Sequence, residues 1–275
     1  MDNQIIPLGA GGWIPSRHFE TACYAFRHGK NLFLLDAGSG ITRLLDPTDE
    51  NLVALKEGIA RVFILLSHYH LDHSHGLFYL KLIFPDIPTY LFAPGRGVYP
   101  RDALDMVDTL FAKPLSPKRI VEIHGLMEIN DLVPGNQWIG GLQVTCRLQD
   151  KHSDPSLGIR IANAFCYATD TMPDKGTIEL AQGCPVLLHE AWYSSRDSYR
   201  GLDDDLKKHT QDGHCGNFGA AIIAKRAGVP ELRLIHHNPA MPIVRVQRLA
   251  AETSDILQNT MLARDLLPIG IDLPG

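Results

Sequence analysis

The chain has 275 residues and a formal charge of −5 at pH 7, from 26 Lys and Arg against 31 Asp and Glu. Its 45% hydrophobic and 21% charged content can fill a sizeable core and excludes wholesale disorder, while the acidic balance argues against non-specific affinity for a phosphate backbone. No run of 18 apolar residues occurs, the opening MDNQIIPLGAGG lacks a basic and an apolar leader region, and five scattered cysteines form no CxxC; no membrane span, no secretion and a reducing, cytoplasmic setting are expected.

Taken in chain order, Gly9, Gly11, Gly12 and Pro15 break the first segment, and TACYAFR and NLFLLD read as strands around His28-Gly29. The second strand stops at Asp36-Ala37-Gly38-Ser39-Gly40. Val62 to Leu66 is continuously apolar and too short for a buried helix, so it reads as a strand covered on both faces. SHYHLDHSHG follows, then an apolar stretch through Leu80 with helical character. Tyr90-Leu91-Phe92 reads as a strand, Arg101–Leu110 as a surface helix, and Lys118–Ile129 and Leu142–Leu148 as β-rich segments. Ile159–Ile161, Phe165–Tyr167 (closing at Asp170), Val186–Leu188 (leading into His189-Glu190) and Leu232–Ile235 (leading into His236-His237) are further strands. Phe218, Ala221, Ile222 and Lys225 share one side of a helix that Gly228 stops, and Val244–Leu267 holds a helix with a proline-broken tail. No linker or repeat divides the chain, so residues 1–275 are expected to form a single domain of two β-layers with helices outside.

Histidines carry the chemistry. His68 and His70 stand two apart after an apolar strand, and in an extended backbone such residues point to one side, where both imidazoles can meet one ion. Asp72-His73 on the following turn can converge on a neighbouring ion, with His75 left outside and Gly76 permitting close backbone approach. Imidazole and carboxylate suit Zn²⁺, Mn²⁺ or Fe²⁺, and with no thiolate pair zinc is the favoured ion.

The run HxHxDH resembles the signature of the metallo-β-lactamase fold, and the resemblance extends over nearly all of the chain. It implies an α+β, four-layer αββα domain with the metal pocket at one end of the two sheets. It further implies that His152 in HSDPSLG, Asp170 in YATDT and His236 complete the ligand set. A first ion would then take His68, His70 and His152, a second Asp72, His73 and His236, with Asp170 joining both. Asp36 would sit behind them and orient an imidazole. Water shared by two such ions becomes a nucleophile at neutral pH, and a phosphodiester gains most from their charge.

Three features resemble the tRNase Z-like phosphodiesterase branch: Asp170 where a β-lactamase commonly has Cys, LLHEAW, and GHCGNFGAAIIAKRAGVPELRLIHHNPA. His214 is thereby expected to protonate the leaving oxygen, with Glu190 holding it and Asp72 counted in the catalytic set as well as among the ligands. His237 would lie just outside the ligands and His18 at the pocket rim, while Arg160, Arg196 and Arg200 are candidate substrate contacts. The departure from true tRNase Z is the missing substrate arm, since only 17 residues separate His152 from Asp170. A long structured tRNA is therefore disfavoured and a small or cyclic phosphodiester, such as a cyclic nucleotide, favoured. The branch also implies a homodimer. A carboxyl-ester or lactone hydrolase and a metal-retaining, non-enzymatic binding protein are the alternatives.

Overall fold

The computed structural model describes residues 3–274, so the ends of the domain expected over 1–275 fall outside the described residues. Sixteen strands occur among those residues. The first six are β1 (Gln4–Gly9), β2 (Cys23–His28), β3 (Asn31–Leu35), β4 (Arg61–Leu65), β5 (Thr89–Pro94) and β6 (Met127–Leu132). Then come β7 (Gly135–Ile139), β8 (Leu142–Gln149), β9 (Ser156–Ile161), β10 (Phe165–Ala168) and β11 (Val186–Glu190). A small hairpin pairs β12 (Thr210–Gln211) with β13 (His214–Cys215), and β14 (Glu231–Ile235), β15 (Thr260–Leu262) and β16 (Ile269–Gly270) complete the set.

Two seven-stranded sheets result, ordered β16-β1-β2-β3-β4-β5-β6 and β15-β14-β11-β10-β9-β8-β7. In each, one half is antiparallel and the other parallel: β3 through β6 in the first, β10, β11, β14 and β15 in the second. Alternation along the strands divides the apolar side chains. Phe33, Leu35, Phe63 and Leu65 turn toward the second sheet, whereas Leu32, Leu34, Val62 and Ile64 turn outward under helices. Both faces of β4 are thus covered, as its unbroken apolar sequence implies. Helices 175–181, 217–227 and 243–251 cover the second sheet in the same way. The expected four-layer αββα architecture is present.

Between the sheets, Phe26, Phe33, Phe63 and Tyr90 stack across adjacent strands with centroids 5.0 to 5.1 Å apart, and Phe165 meets Phe26 edge-on from the other sheet.

Three segments differ from the sequence reading. Lys118–Ile129 begins with a helical turn, Ile120–Ile123, because that turn brings Ile120, Val121 and Ile123 to the outer apolar cluster before β6 starts. The stretch through Leu80 is a chain of short turns rather than one helix. Helix 217–227 is buried from Asn217 to Ala224 rather than on one side, since its small residues let it lie between the sheet and helix 175–181. Gly228 ends it in the left-handed region (φ 72°) as expected. β1, which contains Pro7, is not among the strands expected from the sequence. The residue is tolerated there because β16 pairs only with Gln4 and Ile5, so no ladder bond needs its missing N–H.

Phe33 lies in the middle of the aromatic row and is fully buried. Phe33→Ala should lower the unfolding free energy by about 3–5 kcal/mol, read from urea denaturation. A loss below about 1 kcal/mol would mean that the row contributes little beyond contact.

Candidate metal centre

Both parallel halves end at the same edge of the sandwich. There β3 runs into Asp36, β4 into Ser67-His68, β10 into Asp170, β11 into Glu190 and β14 into His236. Ligands of parallel sheets gather beyond the carboxyl ends of the strands. Three of these residues leave their strands in left-handed backbone: Asp36 (φ 57°), Asp170 (φ 44°) and His236 (φ 55°). Asp and His tolerate that region better than most side chains, and the sharp turn aims each side chain across the strand ends rather than along them.

Two groups of candidate ligand atoms form, His68, His70, His152 and Asp170 in one and Asp72, His73 and His236 in the other, each within 4.8 Å. Asp170 faces both. Its Oδ1 stands 3.9 Å from His68 Nε2 and 3.5 Å from His152 Nε2, while Oδ2 stands 3.0 Å from His73 Nε2 and 3.2 Å from His236 Nε2. One carboxylate oxygen is therefore presented to each group. His68 Nε2 is buried without a hydrogen-bond partner, which is costly unless something else occupies its lone pair. Divalent ions with nitrogen and oxygen preference fit this donor set.

A second layer fixes which nitrogen each imidazole offers. The Ser67 hydroxyl donates to Asp36 Oδ2 (2.9 Å), so toward His68 Nδ1 (3.0 Å) it can only accept. The proton then sits on Nδ1 and Nε2 is free. His73 Nδ1 donates to Asp36 Oδ2 (2.7 Å) with the same result, and His152 Nδ1 donates to the Gly213 carbonyl (3.2 Å). His70 is reversed: its Nε2 is held by Asp154 at 3.0 Å, leaving Nδ1 as the spare nitrogen. Asp36 also accepts from the Ser67 N–H and the Tyr167 hydroxyl, both at 2.6 Å. The supporting role expected of Asp36 thus has a geometry. Two glycines make room: a Cβ at Gly76 would lie 2.6 Å from the Ala37 and Gly38 carbonyls, and one at Gly12 would lie 2.3 Å from His236 Nε2.

Burial alone would raise the Asp170 carboxyl, but His236, His73 and His68 around it hold it well below the ordinary range. Burial likewise opposes a charged His236, yet Asp170, Asp72 and Glu190 push it up to about 10. His68 moves the other way: burial first, then His73, keeps it neutral. Carboxylates and imidazoles thus neutralise one another inside the cluster.

A cavity of about 300 Å³ opens above it, lined by His70, Asp72, His152, Asp170, His214 and His236 together with Trp13, Ser153, Trp192 and Asp212. His214 Nδ1 donates to Glu190 Oε2 at 2.8 Å, and its ring stacks on Trp192 with centroids 4.6 Å apart. Glu190 is fully buried, and its Oε1 accepts the Thr171 N–H at 2.5 Å. Burial would lower His214, but Glu190 raises it above the ordinary imidazole value. His214 also lies close enough to Asp170 and His236 to complete a third candidate ligand group.

The remaining expected contacts do not reach this cavity. Arg160 is spent on the carbonyls of Ala162, Leu180 and Gln182 and on Asn163, beyond the opposite end of β9. Arg196 and Arg200 are exposed, with the Arg200 guanidinium bonded to the Tyr199 carbonyl. His18 is exposed beside a different cavity, next to Asn238 and Met241. His237 is buried against Phe19 with Nε2 on the Ala263 carbonyl (2.8 Å), and burial pushes it down to about 4. Long arginines on this surface find backbone carbonyls within reach, which sequence alone does not reveal. Conversely, the reading missed Asp154, Ser67, Tyr167 and Trp192. Asp154 and Trp192 stand inside HSDPSLG and HEAW, so adjacency to the motif was the available signal.

Asp36→Asn keeps the shape but leaves one amide where His73 and Tyr167 both need an acceptor. It should weaken zinc affinity about 10- to 100-fold, measured by competition with a chromophoric chelator. An unchanged affinity would remove Asp36 from the support of the centre.

The family model for the β-lactamase superfamily domain matches residues 31–237. A ribonuclease Z from Rippkaea orientalis is 35% identical, with 96% of each chain covered and an alignment of 323 positions, more than this chain contains. A ribonuclease Z from Brevibacillus brevis is 34% identical over 127 residues, which span 45% of this chain and only 36% of that protein. Among solved structures, the metallo-β-lactamase fold protein YhfI from Bacillus subtilis superposes with a TM-score of 0.72 at 19% identity over 97% of this chain and 98% of that one. The match over most of the chain, on a fold that gathers its motif residues into one cluster able to hold metal, shows that the protein belongs to the β-lactamase superfamily and is a hydrolase of its ribonuclease Z-like kind.

Proposed function

We propose that the chain is a binuclear, metal-dependent phosphodiesterase that hydrolyses a small or cyclic phosphodiester, such as a cyclic nucleotide, to a monoester. The observation that carries this reading is Asp170, which turns one carboxylate oxygen to each of two histidine groups. The curated relatives bearing the name ribonuclease Z support a phosphodiester in preference to a carboxyl ester or lactone. Divalent ions held by His68, His70, Asp72, His73, His152, Asp170 and His236 would neutralise phosphoryl charge and acidify water between them. The nitrogen and oxygen donors favour zinc, with manganese or iron as alternatives.

The chain's own residues supply the proton and the geometry. Hydrolysis joins the oxygen of water to phosphorus and breaks one P–O ester bond, leaving an alkoxide that needs a proton. His214 Nε2, the nitrogen not held by Glu190, borders the cavity and donates it. Glu190 stabilises the charged imidazole before transfer and fixes its tautomer, while Trp192 holds the ring plane. Asp72 serves the centre as ligand and accepts the Trp13 N–H at 2.6 Å.

The interval between His152 and Asp170 is filled by the β9–β10 hairpin, which leaves no room there for a long substrate arm. The missing arm favours a small ester over a folded tRNA. No helix among the described residues is long and apolar enough to cross a membrane; a cytoplasmic homodimer acting as one domain over 1–275 belongs to the same proposal.

Zinc-loaded protein should hydrolyse bis-p-nitrophenyl phosphate or a cyclic nucleotide much faster than a lactone, and the reverse order would overturn the assignment. His214→Ala should retain both ions while kcat falls about 10²- to 10⁴-fold. Unchanged turnover would remove its acid role, and loss of an ion with the side chain would make it a ligand instead.

A further inference from the structure

Trp13 combines features that the hydrolytic machinery does not use. Its backbone is left-handed (φ 63°), a conformation that disfavours bulky side chains and favours glycine. The segment is held there by the Trp13 N–H on Asp72 Oδ2 (2.6 Å) and the Ile14 N–H on the Gly12 carbonyl (2.9 Å). Those bonds belong to the main chain, so any residue at position 13, glycine most easily, would supply them. Trp13 adds little to the core, being 64% exposed, yet it is among the residues that border the cavity beside the proposed metal ligands. A strained position beside a reactive centre that carries a large, exposed, rigid aromatic ring points to a contact with substrate.

The rest of the lining narrows that contact. Trp192 also borders the cavity, packed on His214 and His236. One tryptophan therefore borders the cavity on the Asp72 side and another on the His214 side. Among the described residues that line the cavity none is Lys or Arg, so no ammonium or guanidinium group in the wall is offered to a second phosphate. A ligand suited to these surfaces has one phosphodiester for the metal centre and a flat, uncharged aromatic group for the indole.

We propose that Trp13 is a specificity-determining residue that stacks the nucleobase of a single-phosphate nucleoside diester, so that the enzyme selects base-bearing over base-free esters. The inference rests on the phosphodiesterase reading above and adds the source of its selectivity. It assigns Trp13 no part in bond breaking. A base stacked on an aromatic side chain gains enough to change binding about 10-fold or more.

Adenosine 2′,3′-cyclic phosphate and 1-O-methylribose 2′,3′-cyclic phosphate share the same reacting bonds and differ by the base. Zinc-loaded wild type should favour the adenosine ester in kcat/KM by about 10-fold or more, chiefly through KM. Trp13→Gly, which suits the left-handed backbone and keeps the N–H, should bring the two esters to the same kcat/KM, and Trp13→Phe should restore part of the preference. Trp13→Asn, also tolerant of that backbone, gives the same comparison should the glycine variant not fold. A preference that survives both ring-removing variants overturns the stacking role. So does an equal loss on both esters, which would make the residue a support for Asp72. A wild type that favours neither ester, or that hydrolyses bis-p-nitrophenyl phosphate but neither of them, overturns base selection alone, whereas one that hydrolyses none of the three overturns the phosphodiesterase reading and this inference with it.

Discussion

The buried carboxylate of Asp36 is the interaction on which the centre depends. It closes β3, accepts from Ser67 at the end of β4, from His73 on the following turn, and from Tyr167 in the opposite sheet. Beside the apolar contacts between the two sheets, these charge-assisted hydrogen bonds tie them together at the edge where the candidate ligands gather. Such bonds are shorter and stronger than neutral ones, and all of these lie out of water. Asp36 also decides tautomers at one remove, because the Ser67 hydroxyl it captures must accept from His68. A single acidic side chain thus aligns two imidazoles while touching no candidate ion position itself.

Around that anchor, the site follows from topology. The parallel halves of both sheets end at one edge, and the short segments leaving them supply Asp36, His68, Asp170, Glu190 and His236. The left-handed turns at Asp36, Asp170 and His236 convert strand ends into inward-facing side chains. Closely spaced carboxylates and imidazoles would repel or go unsatisfied if each stood alone; together they form a neutralising cluster with spare lone pairs, which suits divalent ions. Glu190 and His214 complete the arrangement on the cavity side with a group that can release a proton.

Much of this was legible in the amino-acid order. The unbroken apolar run 62–66 marked a doubly covered strand, and the spacing of His68, His70, Asp72 and His73 marked a shared site. The distant partners His152, Asp170 and His236 were reached through resemblance to the family motifs, since nothing local distinguishes them from turn residues. What stayed hidden depends on tertiary neighbours. Tyr167 sits in an ordinary strand sequence, and only the approach of the second sheet brings its hydroxyl to Asp36. Arg160 was plausible as a phosphate contact until its surroundings supplied three carbonyls. β1 stayed hidden because its pairing with β2 and β16 cannot be read along the chain.

The central claim is that these residues place two divalent ions around one bridging carboxylate. Its most direct test is anomalous diffraction at the zinc edge from crystals of the zinc-loaded protein. Two peaks are predicted, one among His68, His70 and His152 and one among Asp72, His73 and His236, with Asp170 contacting both. A single peak, or two with Asp170 turned away from either, would contradict the account.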